Sequence, residues 1–159
     1  MKHMYIMVGL PGSGKSTEAN RILSEKYVTW EYCSADGFTW RYCSADGYFM
    51  RAGKYCFDAR KLGEAHASCM RTAVEACVAR KNAVIIDNTN LTNVERAPYY
   101  LLAQAYGYEV TFVLVGSVLN TLLYAERNVH GVPLDALQRM AMRMEYPLPF
   151  WTFNTKVVL

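Results

Sequence analysis

The segment from Gly9 to Thr17 has the residue types and spacing of a phosphate-binding loop. It reads Gly-Leu-Pro-Gly-Ser-Gly-Lys-Ser-Thr, the Walker A pattern, and it follows an apolar run at residues 4–8. Glycines let the backbone curl until consecutive N–H groups point at phosphate oxygens. Lys15 can reach the β- and γ-phosphates, and the Ser16 hydroxyl can bind Mg²⁺. The segment therefore predicts a site for ATP and Mg²⁺, formed by Gly9, Pro11, Gly12, Ser13, Gly14, Lys15, Ser16 and Thr17.

Asp87 is a candidate for the carboxylate that phosphoryl transfer needs near the metal. It directly follows the apolar run Ala83–Ile86, which is typical of a buried parallel strand. Because ligands of open α/β sheets bind beyond the carboxyl ends of the strands, we expect Asp87 to lie beside Ser16 and to hold a metal-bound water. The alternative is a turn or helix cap, since the next residues read Asn-Thr-Asn.

Asp46 and Asp36 are candidates for the carboxylate that accepts a proton from an attacking hydroxyl. They occupy the same place in a tandem duplication, because residues 30–39 and 40–49 match at seven of ten positions. Spacing alone allows either aspartate to serve. Each also precedes a glycine, a pairing common in turns, so a structural role stays open for both. The duplication itself could be an insertion that a surface loop tolerates at low entropic cost.

Arg127 is a candidate for the cation that neutralises charge on the phosphates in the transition state. Shortly after it come His-Gly-Val-Pro at 130–133, and then Arg139 and Arg143, one helical turn apart. Two helices joined by such a turn could form a lid that brings arginine over the phosphates. We expect Arg127 to bind the nucleotide and Arg143 to be surface charge, and Arg139 fits either role.

The elements that would position these residues alternate between strand and helix, which predicts an α/β domain with a parallel sheet. The pattern places strands at 4–8, 28–33, 83–86 and 110–115, and helices at 15–26, 60–80, 92–106, 117–130 and 133–145. Residues 34–58 have no regular pattern. The tail 147–159 is either an edge strand or a loose extension. His66 lies among the apolar positions of the second helix and is expected in a core or interface, whereas His3 and His130 have no visible partner.

Composition limits the remaining possibilities. A chain of 159 residues that is 52% hydrophobic and 19% charged predicts one globular domain. No apolar run approaches the roughly 20 residues that cross a bilayer, and the N-terminal run leads directly into the glycine-rich loop rather than forming a signal peptide. We therefore expect a cytoplasmic protein without a membrane segment. Its five cysteines lack metal-ligand spacing and are expected to be reduced thiols, mostly in the core.

Four segments together resemble a known group of enzymes: GLPGSGKST, SADGYF, IIDNTN and ERNVHGVP. They are similar to the P-loop kinases related to the 5′-kinase domain of phage polynucleotide kinase, including kinases labelled as AAA-type ATP-binding proteins. The resemblance covers about residues 4–145. It implies a three-layer P-loop kinase domain at 1–146, with a mostly parallel sheet, helices on both faces and a helical lid at about 127–145. A phage origin would place the protein in the host cytoplasm.

The resemblance also implies roles for single residues. Lys15 and Ser16 would bind the donor phosphates and Mg²⁺, Asp46 would be the general base, and Arg127 would be the lid arginine. Asp87 would be a second essential acid near the metal or the acceptor. The group's pattern favours Asp46 over Asp36, because it continues only after the second copy. The chain departs from it at two places, since Gly47 and Phe49 replace a second acid and an acceptor-binding arginine. Arg41 or Arg51 could substitute for that arginine.

The acceptor is suggested by a crowd of aromatic residues between 27 and 57, which could stack bases beside a few cations. These rings are Trp30, Tyr32, Trp40, Tyr42, Tyr48 and Tyr55. They favour nucleic acid as the partner, either through a 5′-hydroxyl end of DNA or RNA or through a 5-hydroxymethyl group on a modified pyrimidine of phage DNA, which would require base flipping. The alternatives are rings that pack on one another, a nucleotide-binding switch or ATPase without an acceptor, and a kinase for small molecules or nucleotide sugars.

Overall fold

The computed structural model describes residues 1–27 and 39–159, and within these ranges a parallel sheet of five strands forms the centre of the molecule. The strands in chain order are β1 (His3–Val8), β2 (Trp40–Cys43), β3 (Met50–Arg51), β4 (Lys54–Tyr55), β5 (Ala83–Ile86), β6 (Glu109–Val115) and β7 (Asn154–Val158). The sheet has the order β2-β5-β1-β6-β7, and all of its pairings are parallel. Strands β3 and β4 form a separate antiparallel hairpin.

Helices cover both faces of this sheet. They are α1 (Lys15–Tyr27), α2 (Leu62–Val78), α3 (Asn93–Ala105), α4 (Thr121–Arg127) and α5 (Leu134–Met142), with 3₁₀ turns at Asp46–Phe49 and Ala59–Lys61. The predicted three-layer α/β fold with a mostly parallel sheet is confirmed. Parallel strands require such crossovers, and both sheet faces are then buried.

Two apolar cores follow from the alternation of side chains along the central strands. On one face, Ile6 of β1 packs with Cys69 and Ala73 of α2 and with Tyr99 of α3. On the other face, Tyr5 and Met7 pack against the inner side of α1, formed by Ala19, Ile22 and Leu23. Strand β1 is buried on both faces at the centre of the sheet. Its carboxyl end, where the phosphate loop begins, is therefore fixed from all sides.

The strand at the β2 position differs from the prediction. The predicted strand at 28–33 lies outside the described residues, and the strand that pairs with β5 is Trp40–Cys43, inside a stretch without a regular sequence pattern. Cys43 is buried, whereas Trp40 and Arg41 are exposed, so the alternation is weak. Strand β2 belongs to the second copy of the duplication and leads directly to Asp46.

The helix predicted at 117–130 is shorter than expected, because α4 ends at Arg127. The side chain of Asn128 supplies the hydrogen bonds after the helix end. Its Oδ1 accepts a 2.7 Å hydrogen bond from Val132 N, and its Nδ2 donates one to Val132 O at 3.2 Å. His130 therefore lies in a loop between α4 and α5 rather than in a helix. The prediction of helix to residue 130 was wrong at this end, since it took Gly131 as the signal for the helix end and could not detect a side chain that substitutes for helical hydrogen bonds.

The other helix boundaries follow their sequence signals closely. Thr92 and Glu95 form both hydrogen bonds of a capping box at the start of α3. Gly107 ends that helix with φ of +67°. At the far edge of the sheet, β7 pairs in parallel with β6, so the tail contains an edge strand. Lys156 of β7 also forms a 2.7 Å ion pair with Glu18 in the first turn of α1.

Within residues 1–27 and 39–159, none of the helices combines the length and apolar character that a membrane crossing requires.

Candidate active site

The phosphate loop connects β1 to α1 and packs closely against α4. Gly12 has φ of +80°, and a Cβ atom there would lie 2.6 Å from the carbonyl oxygen of Tyr124. Only glycine fits both this conformation and this approach. Gly9 N donates a 3.1 Å hydrogen bond to Thr89 O, which ties the start of the loop to the segment after β5. The loop is thus held in position between two neighbouring strand ends and a helix.

Lys15 begins α1 and turns back over the loop, where its Nζ donates a 2.8 Å hydrogen bond to Leu10 O. Burial lowers the pKa of Lys15, and the negative charges of Asp87 and Asp46 oppose that effect. An ammonium held in a partly desolvated place gains strongly from an anionic partner. Lys15 therefore fits the role of a phosphate ligand.

Asp87 follows β5 and lies directly beside the loop, as expected from the order of strands. Its Oδ2 accepts a 2.6 Å hydrogen bond from Ser16 Oγ and another from the Tyr42 hydroxyl. Burial raises the pKa of Tyr42, and the charge of Asp87 raises it further, so this hydroxyl stays protonated as a donor. The other oxygen, Oδ1, is buried and has no hydrogen-bond partner among the described residues.

The orphaned Asp87 oxygen and the neighbouring Ser16 hydroxyl fit a magnesium ion with bound waters. Mg²⁺ prefers oxygen ligands and usually keeps several waters while it binds one or two protein groups and the phosphates of its substrate. In the described part of the chain no group of three or more His, Cys, Asp or Glu side chains could hold a metal by itself.

A cavity of about 660 Å³ opens above the phosphate loop. Its floor is formed by the loop and by Asp87, and its roof by Arg127 and the loop that follows α4. Arg127 is exposed and forms no hydrogen bond or ion pair with another described residue. His66 of α2 lines the side of this cavity and is exposed. Of the expected core or interface position of His66, the core part was wrong, because α2 turns this residue toward the opening rather than toward the sheet.

A second cavity, also of about 660 Å³, adjoins the first on the side of β2. Its walls carry Arg41, Tyr42 and Tyr48, together with small hydroxyl side chains of Ser44, Ser68 and Thr72. Six residues line both cavities and form the boundary between them: Ser16, Asp46, Tyr55, Asp87, Val129 and His130. Two adjoining chambers of this kind can hold two molecules side by side.

Asp46 stands at this boundary on the 3₁₀ turn that follows β2. The turn is anchored by Phe49, which is 2% exposed, whereas the Asp46 side chain is 53% exposed. Oδ1 of Asp46 accepts a 3.0 Å hydrogen bond from the Tyr55 hydroxyl of the β3–β4 hairpin. Oδ2 lies 3.5 Å from Nε2 of His130. The carboxylate is hydrogen-bonded by Tyr55, lies near His130 and still faces open space.

The three arginines that the sequence places at the predicted lid have different surroundings. Arg127 lines the cavity over the phosphate loop. Arg139 is exposed on α5, lies outside the lining of both cavities and pairs with Asp135 at 2.7 Å. Arg143 is also exposed and donates a 2.9 Å hydrogen bond to Glu95. The structure thus brings Arg127, but not Arg139, to the site.

A family model described as an AAA domain matches residues 4–147. The chain belongs to this family. It is 37% identical over 139 residues, or 86% of its length, to NEDD4-binding protein 2 of Homo sapiens, and it spans 7% of the length of that relative. The resemblance to P-loop kinases that the motifs carry is thereby confirmed as a family relation.

Solved structures share the fold of this AAA-domain family member. Kti12 of Chaetomium thermophilum in complex with ADP-AlF3 has a TM-score of 0.65 at 19% identity, covering 98% of this chain and 88% of that chain. A gluconokinase from Sinorhizobium meliloti 1021 has a TM-score of 0.59 at 19% identity, covering 98% and 82%. The fold is therefore that of P-loop nucleotide-binding proteins, with kinases among its neighbours.

Sequence reasoning missed three side chains of this AAA-domain site. Tyr42 contacts Asp87, and Tyr55 and His130 contact Asp46. Tyr42 and Tyr55 were expected to stack on an acceptor, and no partner was assigned to His130. Each contact joins residues from different elements, up to 84 positions apart for Asp46 and His130. The available signal for His130 was the His-Gly-Val-Pro segment. It follows Arg127 closely in the chain, so its histidine could be expected near the same cavity.

Proposed function

We propose that this chain is an ATP-dependent kinase that transfers the γ-phosphate to a hydroxyl group, with nucleic acid as the acceptor. The observation that carries the proposal is the position of Asp46 on the boundary between the phosphate-loop cavity and the cavity beside β2. A general base must reach the proton of the acceptor hydroxyl while the oxygen of that hydroxyl faces the γ-phosphate. A carboxylate on this boundary would be placed for that role, and the exposed side chain of Asp46 is open to a substrate.

The phosphate loop and Lys15 would bind and orient the donor phosphates. Asp87 and Ser16 would hold Mg²⁺ through an oxygen ligand and a bound water, and the ion would supply charge neutralisation on the phosphates. Asp46 would accept the proton of the acceptor hydroxyl as its oxygen attacks the γ-phosphorus. The bond from that phosphorus to the bridging oxygen breaks, and ADP leaves. Arg127 would reach the phosphates from the lid and stabilise charge during the transfer.

The acceptor cavity supports a nucleic-acid end as the substrate. Tyr42 and Tyr48 give it aromatic walls that suit a base or sugar, and Arg41 provides a cation at its edge. Arg41 could contact the phosphate next to the reacting hydroxyl, and so replace the arginine that the polynucleotide kinase pattern has at the place of Phe49. Both a 5′-hydroxyl end and a 5-hydroxymethyl group on a pyrimidine carry the required alcohol.

A small-molecule acceptor is the second candidate, because the charges of the cavity limit its occupant. Arg41 faces two carboxylates there, Asp46 and Asp87. A cavity lined by this arginine and two carboxylates does not attract a long polyanion by charge alone. A compact alcohol with one anionic group would satisfy Arg41 equally well.

The experiment that tests the proposal is an acceptor panel with ATP labelled in the γ-phosphate. The acceptors are oligonucleotides with a 5′-hydroxyl, DNA containing 5-hydroxymethyluracil, and small polyols and nucleotide sugars. Label in an oligonucleotide supports the proposal, and label only in a small acceptor supports the second candidate. Release of labelled phosphate with every acceptor unlabelled would contradict both and favour an ATPase or nucleotide switch.

A further inference from the structure

We propose that His130 is a positioning residue that holds the Asp46 carboxylate toward the acceptor and makes its orientation depend on the lid loop. The inference rests on the proposed role of Asp46 as general base. It goes beyond that role, because it assigns a function to the loop between α4 and α5.

The geometry that carries the inference is a three-residue cluster formed by Asp46, Tyr55 and His130. Nε2 of His130 lies 3.5 Å from Oδ2 of Asp46, and the Tyr55 hydroxyl donates to Oδ1 at 3.0 Å. The His130 and Tyr55 rings contact each other with centroids 4.8 Å apart. All three residues line both cavities. Tyr55 of the β3–β4 hairpin thus holds one carboxylate oxygen by a hydrogen bond, and His130 lies beside the other in a different part of the fold.

The surroundings of the other ring nitrogen favour one tautomer of His130. Nδ1 is buried and has no hydrogen-bond partner among the described residues. A buried N–H without an acceptor is costly, so the proton belongs on Nε2, where it points at Asp46. In this tautomer the N–H of His130 lies 3.5 Å from Oδ2 of Asp46, which is longer than an ordinary hydrogen bond, and its partial positive charge favours this position of the carboxylate.

His130 lies in the loop that directly follows α4, and Arg127 is the last residue of that helix. Asn128 fixes the turn by bonding to both the N–H and the carbonyl of Val132, and Val129 lines both cavities. A carboxylate held only by Tyr55 could rotate about its side-chain bonds, whereas a second contact restricts it. When the loop is in place, the base and the lid arginine are therefore aligned together.

The test compares two substitutions of His130 by amide side chains of different length, which place their N–H donor at different distances from the backbone. The terminal nitrogen of Gln in His130→Gln takes the place of Nε2, whereas Asn in His130→Asn reaches only to the place of Nδ1. With a 5′-hydroxyl oligonucleotide as acceptor, we expect His130→Asn and His130→Phe to lower kcat roughly 10- to 100-fold, with ATP affinity and acceptor KM nearly unchanged. His130→Gln should recover most of the rate. Equal losses in the Gln and Asn variants would overturn the inference.

A double-mutant cycle separates failure of this inference from failure of the proposed function. In an Asp46→Asn background, His130→Asn should cause little additional loss, because the carboxylate on which it acts is gone. If the loss of kcat in the double variant equals the product of the two single losses, His130 does not act through Asp46. The inference then fails, while the proposed role of Asp46 as the base still stands. If Asp46→Asn alone transfers phosphate at the normal rate, the proposed base fails and the inference fails with it. Thermal unfolding midpoints and ATP binding confirm that each variant folds.

Discussion

The hydroxyl of Ser16 donates a 2.6 Å hydrogen bond to Oδ2 of Asp87 and thereby joins the first turn of α1 to the end of β5. These residues are 71 positions apart in the chain. Their contact follows from the parallel pairing of β1 with β5, which brings the carboxyl ends of both strands to the same edge of the sheet. Oδ1 of Asp87 is buried and has no hydrogen-bond partner within the described ranges, so this residue of the cavity lining keeps one unused oxygen.

Replacing Asp87 with Asn should weaken the dependence of the reaction on Mg²⁺. An amide keeps the shape and can still accept from Ser16, but it removes the negative charge that favours a hydrated cation. We expect a roughly 10- to 100-fold loss of apparent Mg²⁺ affinity or activity. Titrating transfer activity with MgCl₂ measures the effect. The exposed Asp135, which lies outside both cavities, provides the control as Asp135→Asn. An unchanged Mg²⁺ titration for Asp87→Asn would remove the metal from this position.

Arg127 and Arg139 should differ sharply when each is replaced with Ala. Arg127 lines the nucleotide cavity, and loss of a cation that stabilises transferring phosphate typically costs roughly 10³-fold or more in kcat. Arg139 is paired with Asp135 on the surface, so its loss should change kcat less than about threefold, as an exposed ion pair contributes little. Exposed Arg71 on α2 serves as a further control. Steady-state kinetics measures kcat for each variant. A loss of kcat in Arg139→Ala as large as that in Arg127→Ala would show that α5 moves over the nucleotide.

Gly12→Ala should destabilise the protein more than Gly107→Ala, although both glycines have positive φ. The added Cβ at Gly12 would lie 2.6 Å from Tyr124 O, whereas at Gly107 it would meet nothing within 4 Å. The Gly107 variant carries only the backbone strain, about 1 kcal/mol, and Gly12→Ala adds a displacement of α4. Urea unfolding of both variants gives the comparison. Equal free energies of unfolding would mean that the loop and α4 are not in close contact.

Glu18 should make stability depend on pH in the acid range. The hydrogen bond from Arg21, and then that from Lys156, lower the pKa of Glu18, while burial opposes them. Because the folded pKa lies below the unfolded value of roughly 4.3, the stabilisation is complete above that pH and is lost as pH falls through the folded value. Glu18→Gln should therefore reduce the free energy of unfolding at pH 7 and reduce its decline in acid. Parallel curves for both proteins between pH 3 and pH 7 would argue against this ion pair.

The fold could be predicted from the sequence wherever a local sequence pattern is typical of a single structural element. The phosphate loop, the capping box at Thr92 and the apolar strand Ala83–Ile86 each have a local cause, and each lies where the pattern places it. The strand before Asp46 could not be found in this way. Trp40–Cys43 repeats a similar segment ten residues earlier, and the sequence pattern predicted a strand only at 28–33, which lies outside the described residues. The strand at Trp40–Cys43 is evident only from its pairing with β5.

The site was predictable to the extent that strand ends determine it. Asp87 beside Ser16 follows from topology. The contacts of Asp46 with Tyr55 and His130 do not, since they depend on where a hairpin and a loop pack across the cavity. Arg139 was ambiguous for a related reason. Helical spacing places it on the lid, but its partner Asp135 lies one turn away and satisfies the guanidinium at the surface.

The most direct measurement is phosphate transfer by matched Asn variants of the two repeated aspartates, Asp46 and Asp36. Each variant is incubated with γ-labelled ATP and a 5′-hydroxyl oligonucleotide, and ATP affinity is measured separately. A positioned general base is worth roughly 10²- to 10⁴-fold, so Asp46→Asn should lose transfer by that factor and keep its ATP affinity, while Asp36→Asn should remain active. Full transfer by Asp46→Asn, or a matching loss in Asp36→Asn alone, would contradict the assignment of Asp46 as the base.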